Sequence, residues 1–163
     1  MKRSHVKKLR FLGKVLFILY MVFIVYFLIF AEVYGRSGTM EEYHYNLELF
    51  KEIGRFIEYR HELGAFAVFA NLFGNILIFV PFGFFLPMGS KRRSFLATTW
   101  NSFLMSLCVE IFQLFAKVGS FDVDDLLLNT LGGVLAYILF VICNAMRRKY
   151  FAKKRRKADK ATN

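Results

Sequence analysis

Four apolar stretches divide the chain, at residues 15–31, 65–87, 95–116 and 126 to about 146. Inside hydrocarbon a backbone finds no water for its N–H and C=O groups. It must satisfy them within the segment, which an α-helix does. At 1.5 Å per residue even the shortest stretch, VLFILYMVFIVYFLIFA, spans about 26 Å, enough to cross a bilayer with Lys14 snorkelling at its edge. The chain therefore reads as an all-α membrane protein, a bundle of four transmembrane helices. Its 56% hydrophobic content and 21 Phe exceed the roughly 45–50% apolar share of a soluble domain, as helices with lipid-facing surfaces require. A cleaved signal peptide fits the first stretch less well. The run is longer than a signal core, and its exit, FAEVYGRSG, has no Ala-x-Ala step.

The charge pattern orients the bundle. The net charge of +11 is gathered in runs that punctuate the apolar stretches rather than in a patch on a polar fold, so a nucleic-acid partner is not expected. With the N-terminus inside, the cytoplasmic segments hold eighteen Lys and Arg: six before the first helix, three at Lys91, Arg92 and Arg93, and nine from Arg147 onward. The outer segments hold only Arg36, Lys51, Arg55, Arg60 and Lys117. The positive-inside rule then places both termini in the cytoplasm. The organisation is a basic cytoplasmic leader (1–14), a four-helix membrane domain (15–146) and a basic tail (147–163), expected to be disordered or to lie on the surface. Anionic lipid would attract that tail.

The outer connection between the first two helices is polar and carries seven Glu. Within it Leu49, Phe50, Ile53, Phe56 and Ile57 recur at helical spacing, opposite Lys51, Glu52, Arg55 and Glu58. That pattern predicts an outer amphipathic helix, lying in the interface or across the bundle top, or else an ordinary surface helix. Pro81, in the last third of the second membrane helix, is expected to bend it.

Three membrane helices carry polar stripes. Asn71 and Asn75 share a face of the second. Ser102, Ser106, Glu110 and Gln113 form a stripe on the third. Asp125, Asn129, Gly132 and Ala136 follow one face of the fourth. Counting from the outer ends, Asn71 and Glu110 lie about 9 Å deep and Asn129 about 4–6 Å. Asp122 and Asp125 sit at the outer mouth. Glu110 is the most informative of these, since an intramembrane carboxylate must be protonated, hydrogen-bonded, hydrated or cation-bound. The expected site is an outward-facing polar pocket of Asn71, Asn75, Glu110, Gln113, Asp122, Asp125 and Asn129. Amides and Ser also serve as glue between helices, and Gly74, Gly132 and Gly133 read as close-packing positions. No cofactor is expected. A divalent cation at Glu110, Asp122 and Asp125 stays open, since hard cations prefer oxygen ligands. Cys108 and Cys143 fall inside apolar segments and are expected to be free, buried thiols. His44 and His61, in the outer connection, read as solvated. No hydrolase or phosphate-loop motif stands out in the sequence.

The strings NLFGNILIFVPFGFFLP (Asn71 to Pro87) and EIFQLFAKVGSFDVDDLLLNTLGG (Glu110 to Gly133) resemble the VanZ-like family of bacterial membrane proteins. That family joins an Asn-bearing helix with Gly-Asn and Pro-x-Gly to a Glu-x-x-Gln helix, an Asp-rich turn and an Asn-Thr-x-Gly helix. NLELF (Asn46 to Phe50) resembles the family's Asn-Leu-x-Pro-Phe, with Leu49 at the proline position. Ser120 stands where many members carry Arg, which leaves the grip on an anionic ligand there open. The resemblance implies a multi-pass protein of the bacterial plasma membrane. It also implies a link to reduced susceptibility to the glycopeptide teicoplanin, with which the founding member is associated. The expected function is to bind a lipid-linked envelope component, such as a cell-wall precursor, or a lipoglycopeptide in the outer-leaflet pocket. Two alternatives stand beside it: an enzyme acting on a lipid head group with Glu110 as acid or base, and a small ion- or proton-coupled transporter, which four helices would serve best as a homo-oligomer. Membrane lipids are partners in every case.

Overall fold

A computed structural model describes residues 3–30, 42–91 and 93–161 of the chain. The exit from the first apolar stretch, with Arg36, lies outside the described residues, as do Arg92 and the last two positions. Along the chain run α1 (Arg3–Phe30), β1 (Tyr45–Asn46), α2 (Lys51–Glu58), α3 (Arg60–Leu63), α4 (Ala65–Gly89), α5 (Phe95–Ala116), β2 (Phe121–Asp122) and α6 (Val123–Ala161). Four of these, α1, α4, α5 and α6, are long and apolar enough to cross a membrane. The protein is a multi-pass membrane protein.

The boundaries follow local chemistry. Helix α5 begins where Ser94 caps it, its hydroxyl accepting from the Ala97 N–H at 3.5 Å. It ends at Lys117, whose left-handed backbone (φ 57°) turns its N–H back onto the Gln113 and Leu114 carbonyls. Helix α4 runs unbroken through Pro81 and Pro87. At the other extreme α6 continues for 39 residues. The basic tail is therefore helical to Ala161, not disordered. Lys, Arg and Ala are good helix formers, and no Gly or Pro follows Gly133 to stop the helix. Helix α1 likewise reaches back from the first apolar stretch into the basic leader.

Helices α4 and α6 share the most extensive contact, with α1 packed on α4 and α5 on α6. The crossings of α6 with α4 and α5 depend on absent side chains. A Cβ on Gly83 would strike the Gly133 carbonyl, one on Gly132 the Ile76 carbonyl, and one on Gly133 the Ser102 hydroxyl. Close approach of backbones at small residues is how helices associate where lipid removes the hydrophobic drive. Gly74, expected to act likewise, meets nothing within 4 Å. On the α1 side, Tyr20, Ile24, Phe79, Phe82 and Val109 form the apolar core, and the Tyr20 hydroxyl donates to the Ile78 carbonyl at 2.8 Å. That bond satisfies the hydroxyl of a buried side chain.

The two cysteines are free, as expected, but exposed on the bundle surface rather than buried within it. An apolar segment of a membrane helix turns much of its surface to lipid, so residence in such a segment does not bury a side chain against protein.

Candidate functional site

The polar stripe of α5 faces into the bundle. Ser102, Ser106 and Glu110 are all buried, Glu110 with 1% of its surface exposed. The facing stripe of α6 buries Asn129 and Ala136 beside Gly132. Between the two helices the chain turns at Phe121–Asp122, and this acidic turn organises one end of the bundle. Strand β2 pairs in parallel with β1, in the register Tyr45↔Phe121 and Asn46↔Asp122, and the Phe121 N–H reaches the His44 carbonyl at 3.0 Å. The segment preceding α2 is thereby stitched onto the turn.

Each carboxylate of the turn goes to a different element. Asp122 accepts the side-chain amide of Asn46 at 3.2 Å and the Asp124 N–H at 2.8 Å. Asp124, 1% exposed, accepts three backbone N–H groups at the start of α2: Phe50 at 2.5 Å, Glu52 at 2.9 Å and Ile53 at 3.1 Å. A helix N-terminus carries unsatisfied donors and a partial positive charge, which a carboxylate neutralises. No side chain of α2's own N-cap residue, Phe50, does this. The cap arrives from more than seventy residues away. Asp125 accepts the Asn75 side-chain amide of α4.

Beneath this layer, the Asp122 N–H donates to Glu110 Oε2 at 2.9 Å. One helical turn deeper on the α5 stripe, the Asn129 amide donates to the Ser106 hydroxyl at 3.0 Å. The Asn129 side-chain carbonyl is buried and has no hydrogen-bond partner, although the residue is only 4% exposed. An unmet buried acceptor costs free energy unless a donor is supplied.

The structure thus places the expected site residues unequally. Glu110, Asp122 and Asn129 are buried, Asn75, Gln113 and Asp125 are half-buried, and Asn71 is exposed. Glu110 and Asp122 are directly joined, as are Asn75 and Asp125. Among the described residues no group of three or more His, Cys, Asp or Glu side chains is disposed to hold a metal ion. The carboxylates of Glu110, Asp122 and Asp125 meet backbone and amide donors. Two residues absent from the expected set prove central to the geometry: Asp124, one of three near-identical aspartates in the turn, and Asn46, the first residue of NLELF. Asn46 also closes its own turn, its side-chain oxygen accepting the Glu48 N–H at 3.1 Å.

The layer is rich in acceptors: carboxylates, amide carbonyls and one carbonyl without a donor. It suits groups that donate, such as hydroxyls, amides and ammonium. A helix forms at Lys51–Glu58 over this end, with Ile53 and Phe56 half-buried and Leu49, Phe50 and Ile57 exposed.

No solved structure matches the chain. Protein VanZ of Enterococcus faecium is 28% identical over 137 residues, covering 83% of this chain and 77% of that protein. The VanZ/LLP1 family model matches residues 17–144, from within α1 to the apolar part of α6, and so takes in all four membrane helices and the acidic turn. The chain belongs to the VanZ/LLP1 family.

Proposed function

We propose that this protein lies in the bacterial plasma membrane with both termini cytoplasmic, and that its acidic end faces outward to receive a donor-rich, lipid-anchored ligand. The ligand is a lipid-linked envelope component, such as a cell-wall precursor, or a lipid-tailed glycopeptide. Engaging it lowers susceptibility to teicoplanin-type drugs. Family membership supports the link to glycopeptides, and the charge asymmetry of the chain supports the orientation. The observation that carries the pocket is the buried, donorless carbonyl of Asn129 one turn below Glu110. It calls for a hydroxyl or amide that the surrounding side chains do not supply. Sugar and peptide head groups carry such donors, while an acyl tail lies against the exposed Phe and Leu of the helix faces. The helix at Lys51–Glu58 caps the mouth, its apolar residues in the membrane interface.

The test is overproduction in a susceptible host, comparing a lipid-tailed glycopeptide with one lacking a tail. The reading expects protection against the tailed drug, lost in Asn129→Ala at unchanged protein level. Equal protection against both drugs would contradict it. Lipidomic comparison with deletion cells separates binding from catalysis: an altered head group would replace the binding reading with an enzymatic one.

A further inference from the structure

The opposite end of the bundle holds a cluster that the acidic end does not explain. Near the start of α1, at the α4–α5 turn and late in α6, the chain brings Arg10, Arg93, Arg147 and Arg148 around one cavity of about 510 Å³, with Asn144 and Phe151 also lining it. Arg10, Arg93 and Arg147 are half-buried. Four guanidinium groups converging without an anion repel one another. The Asn144 side-chain oxygen accepts from both Arg93 Nη1 at 3.3 Å and Arg147 Nη2 at 2.7 Å. The Phe140 ring lies beneath Arg93, 5.4 Å from its guanidinium carbon, and the Arg93 carbonyl is held by the Tyr137 hydroxyl at 2.8 Å. The guanidinium is thereby positioned rather than free to swing.

Donors remain unmet. Nε of Arg10, Nε and Nη2 of Arg93 and Nε of Arg147 are buried with no hydrogen-bond partner. Among the described residues no acidic side chain lines the cavity, and eleven of the twelve Asp and Glu lie between Glu32 and Asp125. Burial first, and then Arg147, Arg10 and Arg148, hold the Arg93 guanidinium below its usual pKa. An anion in the cavity would meet all three deficits of charge, acceptors and solvation. Guanidinium forks match the paired oxygens of a phosphate.

A second feature identifies the carrier of that phosphate. An apolar groove of about 180 Å³ adjoins the cavity and shares Asn144 and Arg147 with it, its walls being Leu9, Phe84, Met88 and Phe140. A free phosphate has no use for such a groove, whereas a phospholipid presents a phosphate and an acyl chain at this spacing of polar and apolar surface. We propose that this arginine cavity is a phosphate-binding site that takes the head group of an anionic phospholipid from the adjacent leaflet, with an acyl chain in the Leu9–Phe84–Phe140 groove. The site lies on residues distinct from the acidic end and stands independently of the function proposed above.

The test uses the full chain in a neutral detergent. Thermal unfolding and native mass spectrometry are followed with phosphatidylglycerol, phosphatidylcholine or inorganic phosphate added. Phosphatidylglycerol is expected to raise the melting temperature and remain as a one-to-one adduct, and phosphatidylcholine to do neither. The double variant Arg93→Gln/Arg147→Gln is expected to weaken binding tenfold or more. Arg10→Gln, which removes an unpartnered donor and one of the mutually repelling charges, is expected to weaken it without lowering the lipid-free melting temperature. The tail control Lys153→Gln/Lys154→Gln is expected to bind as wild type. Equal stabilisation by both lipids, or a loss in the tail control matching that in the arginine variants, would overturn the proposal. Stabilisation by inorganic phosphate alone would overturn the lipid assignment, and no response to any of the three would overturn the site.

Discussion

Replacing Asp124 with Ala removes the cap that holds α2 against the bundle, and the size of the effect can be worked from the contacts. Three backbone N–H groups lose their acceptor. Hydrogen bonds to a charged group contribute about 1.5–3 kcal/mol each, so complete loss would approach about 5 kcal/mol or more. Two effects reduce this. Phe50 is exposed and α2 has no fully buried residue, so water can reach part of the freed helix end. Removing a carboxylate that is only 1% exposed also relieves its own desolvation. A net loss of about 2–4 kcal/mol is expected for docking of this segment, equivalent to roughly a 30- to 1,000-fold rise in its open population. The strand pair and the Asn46–Asp122 bond remain, so the four membrane helices should be unaffected. Hydrogen–deuterium exchange in nanodiscs reads this directly. Amides at residues 50–53 should exchange faster by that factor, those of α4–α6 should not, and Asp124→Asn should fall between. Unchanged exchange at 50–53 in Asp124→Ala would refute the cap. Loss of protection throughout α4–α6 would show that Asp124 supports the whole bundle instead.

Four further outcomes follow, three from the contacts in the structure and one from the charge asymmetry of the chain. Gly132→Ala should destabilise the bundle by about 1–3 kcal/mol in detergent unfolding, because its Cβ meets the Ile76 backbone and overpacking costs about that much. Gly74→Ala, which meets nothing within 4 Å, should leave the unfolding midpoint in place. Single cysteines at Ser120 and Ser90, in a chain lacking Cys108 and Cys143, should separate the two ends: an impermeant thiol reagent added to intact cells should label the first and spare the second, and the reverse would invert the proposed orientation. Asn46→Ala should loosen the β1–β2 pairing, seen as faster exchange of the Phe121 amide, with little change in the melting temperature.

Hydropathy and capping signals carried most of the fold. The α5 stretch is marked by Ser94 before it and by a change to polar residues at Lys117, and its observed bounds coincide with its apolar run. The tail misled because charge density alone reads as disorder, although its residue types continue a helix already nucleated in α6. Two-residue strands leave no periodic trace, and the partners in the β1–β2 pair are 76 positions apart. The buried stripe of α5 was legible from its spacing. The separate roles of Asp122, Asp124 and Asp125 were not, since three aspartates within four positions look alike until the backbone of the turn aims each at Asn46, α2 or α4. The arginine cavity was hidden for a similar reason. Basic residues at three distant points of the chain satisfy the positive-inside rule whether or not they converge.

On the proposed function, Glu110 beside Asn129 is more than a peg for the acidic turn. Its Oε2 accepts the Asp122 N–H at 2.9 Å, and Glu110→Gln keeps the shape and an acceptor at that position while removing the carboxylate. The decisive measurement is susceptibility to a lipid-tailed glycopeptide in cells producing wild type or Glu110→Gln at matched membrane abundance. Protection by wild type that is lost in the variant, with exchange at residues 50–53 and 121–122 unchanged, is the predicted result. Full protection by Glu110→Gln would contradict the account and leave the carboxylate a structural support for the turn.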